Sequence, residues 1–144
     1  MPNLKTAQKA TARTNGNWQG MNWIRQEKRL AIYLRDGMAC SWCGKGVEEE
    51  IVLSLDHLKA HVDGGSNHET NLVTCCKFCN DSRGARKQAA FARAVAAYVN
   101  HGVTAEQILA RVRNNSMRSL KPFISQAKAL IEQRGSAAKA IQSI

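Results

Sequence analysis

Cys40-Ser41-Trp42-Cys43 and Cys76-Lys77-Phe78-Cys79 are the two stretches that decide the fold of this 144-residue chain. Two residues separate the cysteines of each pair, and residues 44–75 lie between the pairs. Tight turns of this kind let both thiolates of a pair reach one ion, and four thiolates close a tetrahedral coordination sphere. The spacing therefore predicts a structural zinc site that leaves no position for substrate. Cys75 would break the two-residue spacing, so we interpret it as a small buried residue.

Between the two cysteine pairs lie the polar groups able to hold a second metal ion and to move a proton. Ile51, Leu53 and Leu55 alternate with other residues, as they do in a strand with one buried face. This predicted strand ends at Asp56 and His57, whose side chains are expected at the rim of the core. Metal-assisted proton transfer needs a group that activates water and a cation that neutralises developing negative charge. An imidazole that titrates near neutrality suits the first task, and a carboxylate oxygen that binds Mg²⁺ suits the second.

Five short motifs in this part of the chain together resemble the HNH family of nucleases. They are Asp56-His57, Gly64-Gly65, Asn71-Leu72, Cys76-Lys77-Phe78-Cys79-Asn80 and Arg83-Gly84. The resemblance extends over residues 35–84 and implies a ββα-metal core, which in this family often carries a zinc site of this type. The final histidine for which the family is named is replaced by Asn80 in this chain, as it is by asparagine in some members of the family.

The resemblance implies a role for each polar side chain of this segment. His57 would be the general base, and Asp56 would be a ligand of the catalytic ion. Asn80 would be the second ligand, with a helix N-cap as the alternative. A carboxylate together with an amide oxygen favours Mg²⁺ or Mn²⁺ over a second zinc ion. Asn71 would pin the loop by side-chain hydrogen bonds so that His57 faces the phosphate, with a plain turn residue as the alternative.

Substrate contacts are expected from four further residues. Arg83 stands where the family usually has a lysine before glycine, so it is either a phosphate contact or part of a solvated face. His61 is expected at the rim of the site, on the substrate side, rather than as a metal ligand. Arg86 and Lys87 belong to a set of basic helix residues that are individually ordinary surface residues. Collectively, that set favours phosphate binding with a strong dependence on salt.

The balance of charges favours a polyanionic partner. Lys and Arg number 21 against 11 Asp and Glu, which gives a formal net charge of +10. Neither an apolar stretch of about 18 residues nor a charged-then-apolar leader is present, so we expect no membrane span and no secretory signal. The cysteines are then expected in a reducing, cytoplasmic compartment, where metal thiolates are favoured over disulfides.

These patterns predict an α+β, mainly helical fold. A small ββα core stapled by the zinc site would be flanked by an N-terminal helix and by two to three C-terminal helices. We expect residues 1–20 to form a flexible basic arm and residues 21–100 to form the nuclease domain, including the preceding helix and a core helix. Residues 101–144 would form a helical extension packed on or beside the core.

Capping signals place the expected helices more closely. Asn22 would cap a helix that runs to about Arg35, and a core helix would run from Phe78 to about Val99. Thr104 followed by Gln107 predicts a capping box, and Asn114-Asn115-Ser116 is expected to end the helix that follows. Pro122 suits the first turn of a further helix, which would stop before Gly135.

The sequence therefore predicts a metal-dependent endonuclease that cuts double-stranded DNA, one strand per site. A double-strand break would need two sites, through a homodimer or through sequential nicks. One alternative is a zinc-containing module that binds nucleic acid without catalysis; intact Asp56, His57 and Asn80 argue against it, because such a module has no use for a base beside a metal ligand. The other alternative is a nuclease of the same family that acts on RNA.

Overall fold

A computed structural model of the chain describes residues 23–99 and 102–144. The basic arm expected at residues 1–20 and the cap expected at Asn22 lie outside the described residues. The described part has two strands, β1 (Leu53–His57) and β2 (Leu72–Cys76). Its helices are α1 (Gln26–Arg35), α2 (Lys77–Arg83), α3 (Gln88–Val99), α4 (Ala105–Met117), α5 (Lys121–Arg134) and α6 (Ala137–Gln142). None of these helices has the length and apolar character needed to cross a bilayer.

The two strands form a small antiparallel sheet at the centre of the described chain. Their register pairs Asp56 with Val73 and His57 with Leu72. Every residue of β2 is buried, because helices cover both of its faces. The mainly helical fold with a small two-stranded sheet agrees with the expected fold class.

The sheet separates two hydrophobic clusters. One contains residues of α1, α5 and α6 together with Leu55 and Leu72 from the two strands. The other contains Trp42, Phe91 and residues of α3 and α4, together with Val73 of β2. Successive residues of a strand point to opposite faces, so neighbouring Leu72 and Val73 enter different clusters. The helices beyond residue 101 thus pack on both sides of the sheet, whereas the expected domain division near residue 100 stays a prediction.

The single helix expected from Phe78 to Val99 is two helices in the structure, so that prediction is wrong. Helix α2 ends at Arg83, and Gly84 follows with a φ of +52°, which favours glycine. The Arg83 side chain turns back and donates from Nε to the carbonyl oxygen of Arg86 at 3.1 Å. This hydrogen bond stabilises the turn that separates α2 from α3.

The helix end expected at Asn114-Asn115-Ser116 is also wrong, because α4 continues to Met117. Asn115 is buried, and its Nδ2 donates to Ser41 Oγ at 2.9 Å. This tertiary contact holds Asn115 in the helix, although asparagine has a low intrinsic helix propensity. The capping box of Thr104 and Gln107 is confirmed.

A buried ion pair ties α1 to β2. Arg35 Nε donates to Asp36 Oδ1 at 2.7 Å, and neither side chain is exposed to solvent. Asp36 Oδ2 also accepts from the backbone N–H of Thr74 at 2.8 Å, and Arg35 Nη2 donates to the carbonyl oxygen of Leu72 at 2.7 Å. The pair therefore sets how the end of α1 meets the strand that leads to the second cysteine pair.

Replacing Asp36 by alanine is expected to lower the free energy of unfolding by about 3–5 kcal/mol, because it leaves the Arg35 guanidinium buried without a counter-charge. Urea unfolding of the metal-loaded protein measures this loss. Asp81→Ala is the matched control: it breaks the exposed pair in which Lys77 Nζ lies 2.8 Å from Asp81 Oδ2, and it should cost less than about 1 kcal/mol. Equal losses in the two variants would contradict the role given to the buried pair.

Candidate functional site

The thiols of Cys40, Cys43, Cys76 and Cys79 form a cluster in which all four sulfur atoms lie within 4.8 Å of one another. The Sγ atoms of Cys43 and Cys76 are 3.8 Å apart. Zinc bound tetrahedrally with Zn–S bonds of about 2.3 Å places its sulfur ligands about 3.8 Å apart. The cluster can therefore hold a metal ion such as zinc. Cys75 is outside it and fully buried, which raises the pKa of its thiol and agrees with its expected place in the core.

Backbone hydrogen bonds shape both cysteine turns. In the first turn, the N–H of Gly44 donates to the carbonyl oxygen of Cys40 at 2.9 Å. The N–H of Cys43 points at Cys40 Sγ, and in the second turn the N–H of Cys79 points at Cys76 Sγ, both at 3.4 Å. These N–H groups favour the thiolate form that a metal ion requires.

Asp56 lies near the end of β1 and is 7% exposed. Its Oδ2 accepts hydrogen bonds from Trp42 Nε1, at 2.9 Å, and from Arg83 Nη1. Burial raises the pKa of the Asp56 carboxyl group, and the Arg83 guanidinium acts against that rise. Both of these bonds fall on Oδ2, and within residues 23–99 and 102–144 Oδ1 accepts no hydrogen bond.

The His57 imidazole lies at the last position of β1 and is fixed on two sides. Its Nε2 lies 2.8 Å from Asn67 Oδ1, and the Trp23 ring packs against it with 4.8 Å between ring centroids. An amide oxygen accepts hydrogen bonds and does not donate them, so the neutral imidazole that makes this bond is the tautomer with its proton on Nε2. Sequence reasoning missed Asn67, which lies in a polar, glycine-containing loop where no pattern distinguishes it.

Asn71 ties together the two ends of the loop that follows β1. Its Oδ1 accepts from the N–H of Lys59 at 2.9 Å, and its Nδ2 donates to the carbonyl oxygens of Lys59, at 3.1 Å, and Ser66, at 2.8 Å. A Cβ at Gly65 would stand 1.8 Å from the Lys59 carbonyl oxygen, so this close crossing requires glycine. The expected loop-pinning hydrogen bonds are present, and the effect of Asn71 on His57 stays a prediction.

Asn80 lies inside α2 and faces β1. The N-cap of α2 is Cys76, so the alternative reading of Asn80 as the N-cap is excluded. Asn80 Nδ2 donates to Ser54 Oγ at 3.0 Å. Ser54 and Asp56 lie on the same face of β1, about 6.7 Å apart along the strand. Since Asn80 Oδ1 has no partner among the described residues, the amide and carboxylate oxygens fit the oxygen ligands that a hard divalent ion prefers.

Arg83 is 6% exposed, which excludes the solvated face that was one of its two expected roles. Besides Asp56, its guanidinium donates to the carbonyl oxygens of His57, at 3.2 Å, and Leu58, at 2.9 Å, and it lies 5.3 Å from the centroid of the Trp42 ring. It is therefore not part of a solvated face. Arg83 also lines the cleft beside His57, and phosphate contact stays a prediction. Its internal partners were not expected from the sequence.

A cleft of about 320 Å³ opens beside His57. Basic side chains on its walls include Lys59, Arg86 and Lys87. One nitrogen of the Arg86 guanidinium, Nη2, already donates to the carbonyl oxygen of Ser82 at 2.7 Å. The Lys87 side chain is largely exposed. His61 is exposed outside this cleft, with its ring centroid 6.4 Å from that of His57. Asp63 also lines the cleft, with its Oδ2 3.9 Å from Lys87 Nζ, but the basic side chains outnumber it and the mouth beside the imidazole carries net positive charge.

Comparison with known protein families gives one finding that bears on this site. Residues 40–96 match the model of a family described as HNH endonuclease. The matched segment includes both cysteine pairs and every residue of the site from Asp56 to Lys87, and it confirms the resemblance seen in the motifs. The match favours nuclease activity, and with it a nucleic-acid substrate, for this segment. Neither the curated proteins nor the solved structures give a match.

Proposed function

We propose, from the HNH endonuclease match over residues 40–96, that this protein is a metal-dependent endonuclease that hydrolyses DNA phosphodiester bonds. It would nick one strand per active site. The observation that best supports the proposal is the His57 imidazole, which Asn67 holds in place, which lines a basic cleft and which directly follows the buried Asp56 in β1. A binding module that had lost catalysis would have no use for this combination.

The proposed enzyme would have two metal sites, one structural and one catalytic. Zinc, bound by Cys40, Cys43, Cys76 and Cys79, would hold the first cysteine turn and the start of α2 together, with no position open for substrate. A Mg²⁺ or Mn²⁺ ion would be held by Asp56 and Asn80, whose free oxygens are hard ligands. When bound, this ion supplies neutralisation of the charge that builds up on the phosphate.

The chain's own side chains would carry out the proton transfer and orient the substrate. His57 would take a proton from the attacking water at Nδ1, because Asn67 holds the protonated Nε2. A solvent water would protonate the leaving 3′ oxygen. Arg86 and Lys87, on the wall of the cleft, would attract the phosphate backbone, so affinity for DNA should fall steeply as salt rises.

A supercoiled plasmid tests the proposal. Zinc-loaded protein with Mg²⁺ or Mn²⁺ is expected to convert the plasmid first into open circles and only later into linear DNA, and omission of the divalent ion should stop the reaction. Binding without cleavage in both ions would favour the binding module. A parallel reaction with RNA of matched length distinguishes the two substrates: faster cleavage of RNA would contradict DNA as the substrate.

Asn67→Ala is expected to lower the kcat of nicking by about 10-fold, with little change in KM, because the His57 ring loses the acceptor that fixes its protonation and orientation. Initial rates at several DNA concentrations measure both constants. Asn67→Asp keeps an acceptor oxygen at the same place and should retain most of the activity. If both variants lose activity equally, or if neither does, this role for Asn67 is wrong.

A further inference from the structure

Both hydrogen bonds that Asp56 accepts on its carboxylate within the described chain fall on the same oxygen. Trp42 Nε1 and Arg83 Nη1 both donate to Oδ2, whereas Oδ1 receives neither. The donors are almost entirely withdrawn from solvent, since Trp42 is 1% and Arg83 is 6% exposed. Water is therefore kept from Oδ2, and the carboxylate cannot rotate without breaking two bonds in a medium where they are costly to lose.

The two donors are themselves held firmly. The backbone carbonyl of Trp42 accepts from Arg111 Nη2 at 2.6 Å, and the Trp42 ring packs edge to face on Phe91 with 5.1 Å between centroids. The Arg83 guanidinium is bound to three backbone carbonyls, those of His57, Leu58 and Arg86. Neither donor can follow the carboxylate if it turns, so the orientation of Asp56 is imposed by its surroundings.

We propose that Trp42 and Arg83 are positioning residues that make Asp56 a one-oxygen ligand, with Oδ1 presented to the divalent ion and Oδ2 withheld from it. The inference rests on the proposed function, because it requires Asp56 to bind that ion. Trp42 lies between Cys40 and Cys43, so a single side chain joins the cysteine turn to the carboxylate. Arg83 acts through Asp56 rather than on the phosphate.

A one-oxygen ligand has a consequence for ion preference. Mg²⁺ and similar small ions demand near-octahedral geometry, whereas Ca²⁺ accepts irregular geometry and both oxygens of one carboxylate. Withholding Oδ2 therefore favours the smaller ion. Removing the hydrogen bond from Trp42 or Arg83 to Oδ2 should therefore weaken Mn²⁺ binding more than Ca²⁺ binding. General destabilisation of the protein would weaken the binding of both ions alike.

The test measures Mn²⁺ and Ca²⁺ dissociation constants by titration calorimetry on zinc-loaded protein. Trp42→Phe keeps an aromatic ring and removes the N–H, and it is expected to weaken Mn²⁺ binding by about 10- to 100-fold. Ca²⁺ binding should weaken less. Phe91→Leu loosens the packing around the same indole without removing its N–H, and it should leave the ratio of the two constants unchanged.

Arg83→Lys gives an independent reading, because Trp42→Phe opens space in the core and affects folding as well. Lysine keeps the positive charge but cannot bond Asp56 and three carbonyls at once, so the same shift in the ratio of Mn²⁺ to Ca²⁺ affinity is expected. An unchanged ratio in folded Trp42→Phe and Arg83→Lys proteins would overturn the inference. Asp56→Ala separates it from the proposed function: if Mn²⁺ binding survives that change, Asp56 is not a ligand and the proposed ion site itself fails.

Discussion

Replacing His57 by alanine is expected to slow plasmid nicking by about 10²- to 10⁴-fold, the usual contribution of a positioned general base. The loss should appear in kcat, because the basic wall of the cleft and the ligands of the divalent ion are untouched. DNA affinity, measured by fluorescence anisotropy without Mg²⁺, should stay at the wild-type value. Nicking rates at saturating DNA, with Mg²⁺ and with Mn²⁺, provide the comparison.

His61→Ala is the matched control for this variant. His61 is exposed on the short turn His61–Asp63, and its ring centroid is 6.4 Å from that of His57. The His61→Ala substitution removes an imidazole from the same region but keeps the proposed base, so it should slow nicking far less than His57→Ala does. If His57→Ala and the wild-type protein nick at the same rate, the mechanism has to be abandoned.

The features predicted correctly from the sequence are those that depend on short spacings. Two residues between the cysteines of each pair place four thiols together, and alternation through Leu53 and Leu55 gives β1. The capping box at Thr104 and the helix start near Pro122 depend on contacts within one turn. In each case the signal lies within a few residues, although the two cysteine pairs that come together are separated by residues 44–75.

The surroundings of Asp56 could not be predicted in this way. Its hydrogen-bond donors are 14 and 27 positions away in the chain, and nothing in the residue types of Trp42 or Arg83 indicates that they meet there. From the sequence, Trp42 is a packing residue of a cysteine turn and Arg83 is a basic residue before glycine. Their convergence depends on how α2 and the first cysteine turn pack against β1, which local patterns do not encode.

The same reason explains the two errors in helix boundaries. The residues from 114 to 116 favour turns by propensity, yet α4 continues through them because Asn115 reaches Ser41, 74 positions earlier. Arg111 also donates to the carbonyl oxygen of Ser41, at 2.7 Å, so α4 buttresses the first cysteine turn. The C-terminal helices thus contribute to the scaffold of the site although the resemblance by motif ends at residue 84.

Loss of the cysteine-bound metal ion is expected to have the largest effect on stability. A structural zinc ion supplies roughly 10–16 kcal/mol in small zinc-binding units at pH 7, which is as large as the whole stability of an ordinary domain. A two-stranded sheet with five residues in each strand contributes little stability by itself. Cys79→Ala should therefore abolish zinc binding and cooperative thermal unfolding of the segment between Cys40 and α3.

Cys75→Ala provides the matched control, because it removes a neighbouring thiol that lies outside the cluster. It should keep one zinc ion per chain, measured with a colorimetric chelator after denaturation, and should lose only the packing of one buried sulfur. The near-ultraviolet circular dichroism signal reports the packing of Trp42. This signal should be lost in Cys79→Ala and retained in Cys75→Ala. Retention of zinc and of a sharp unfolding transition by Cys79→Ala would show that the cluster is not a structural metal site. The link from the cysteine turn through Trp42 to Asp56 would then lose its foundation as well.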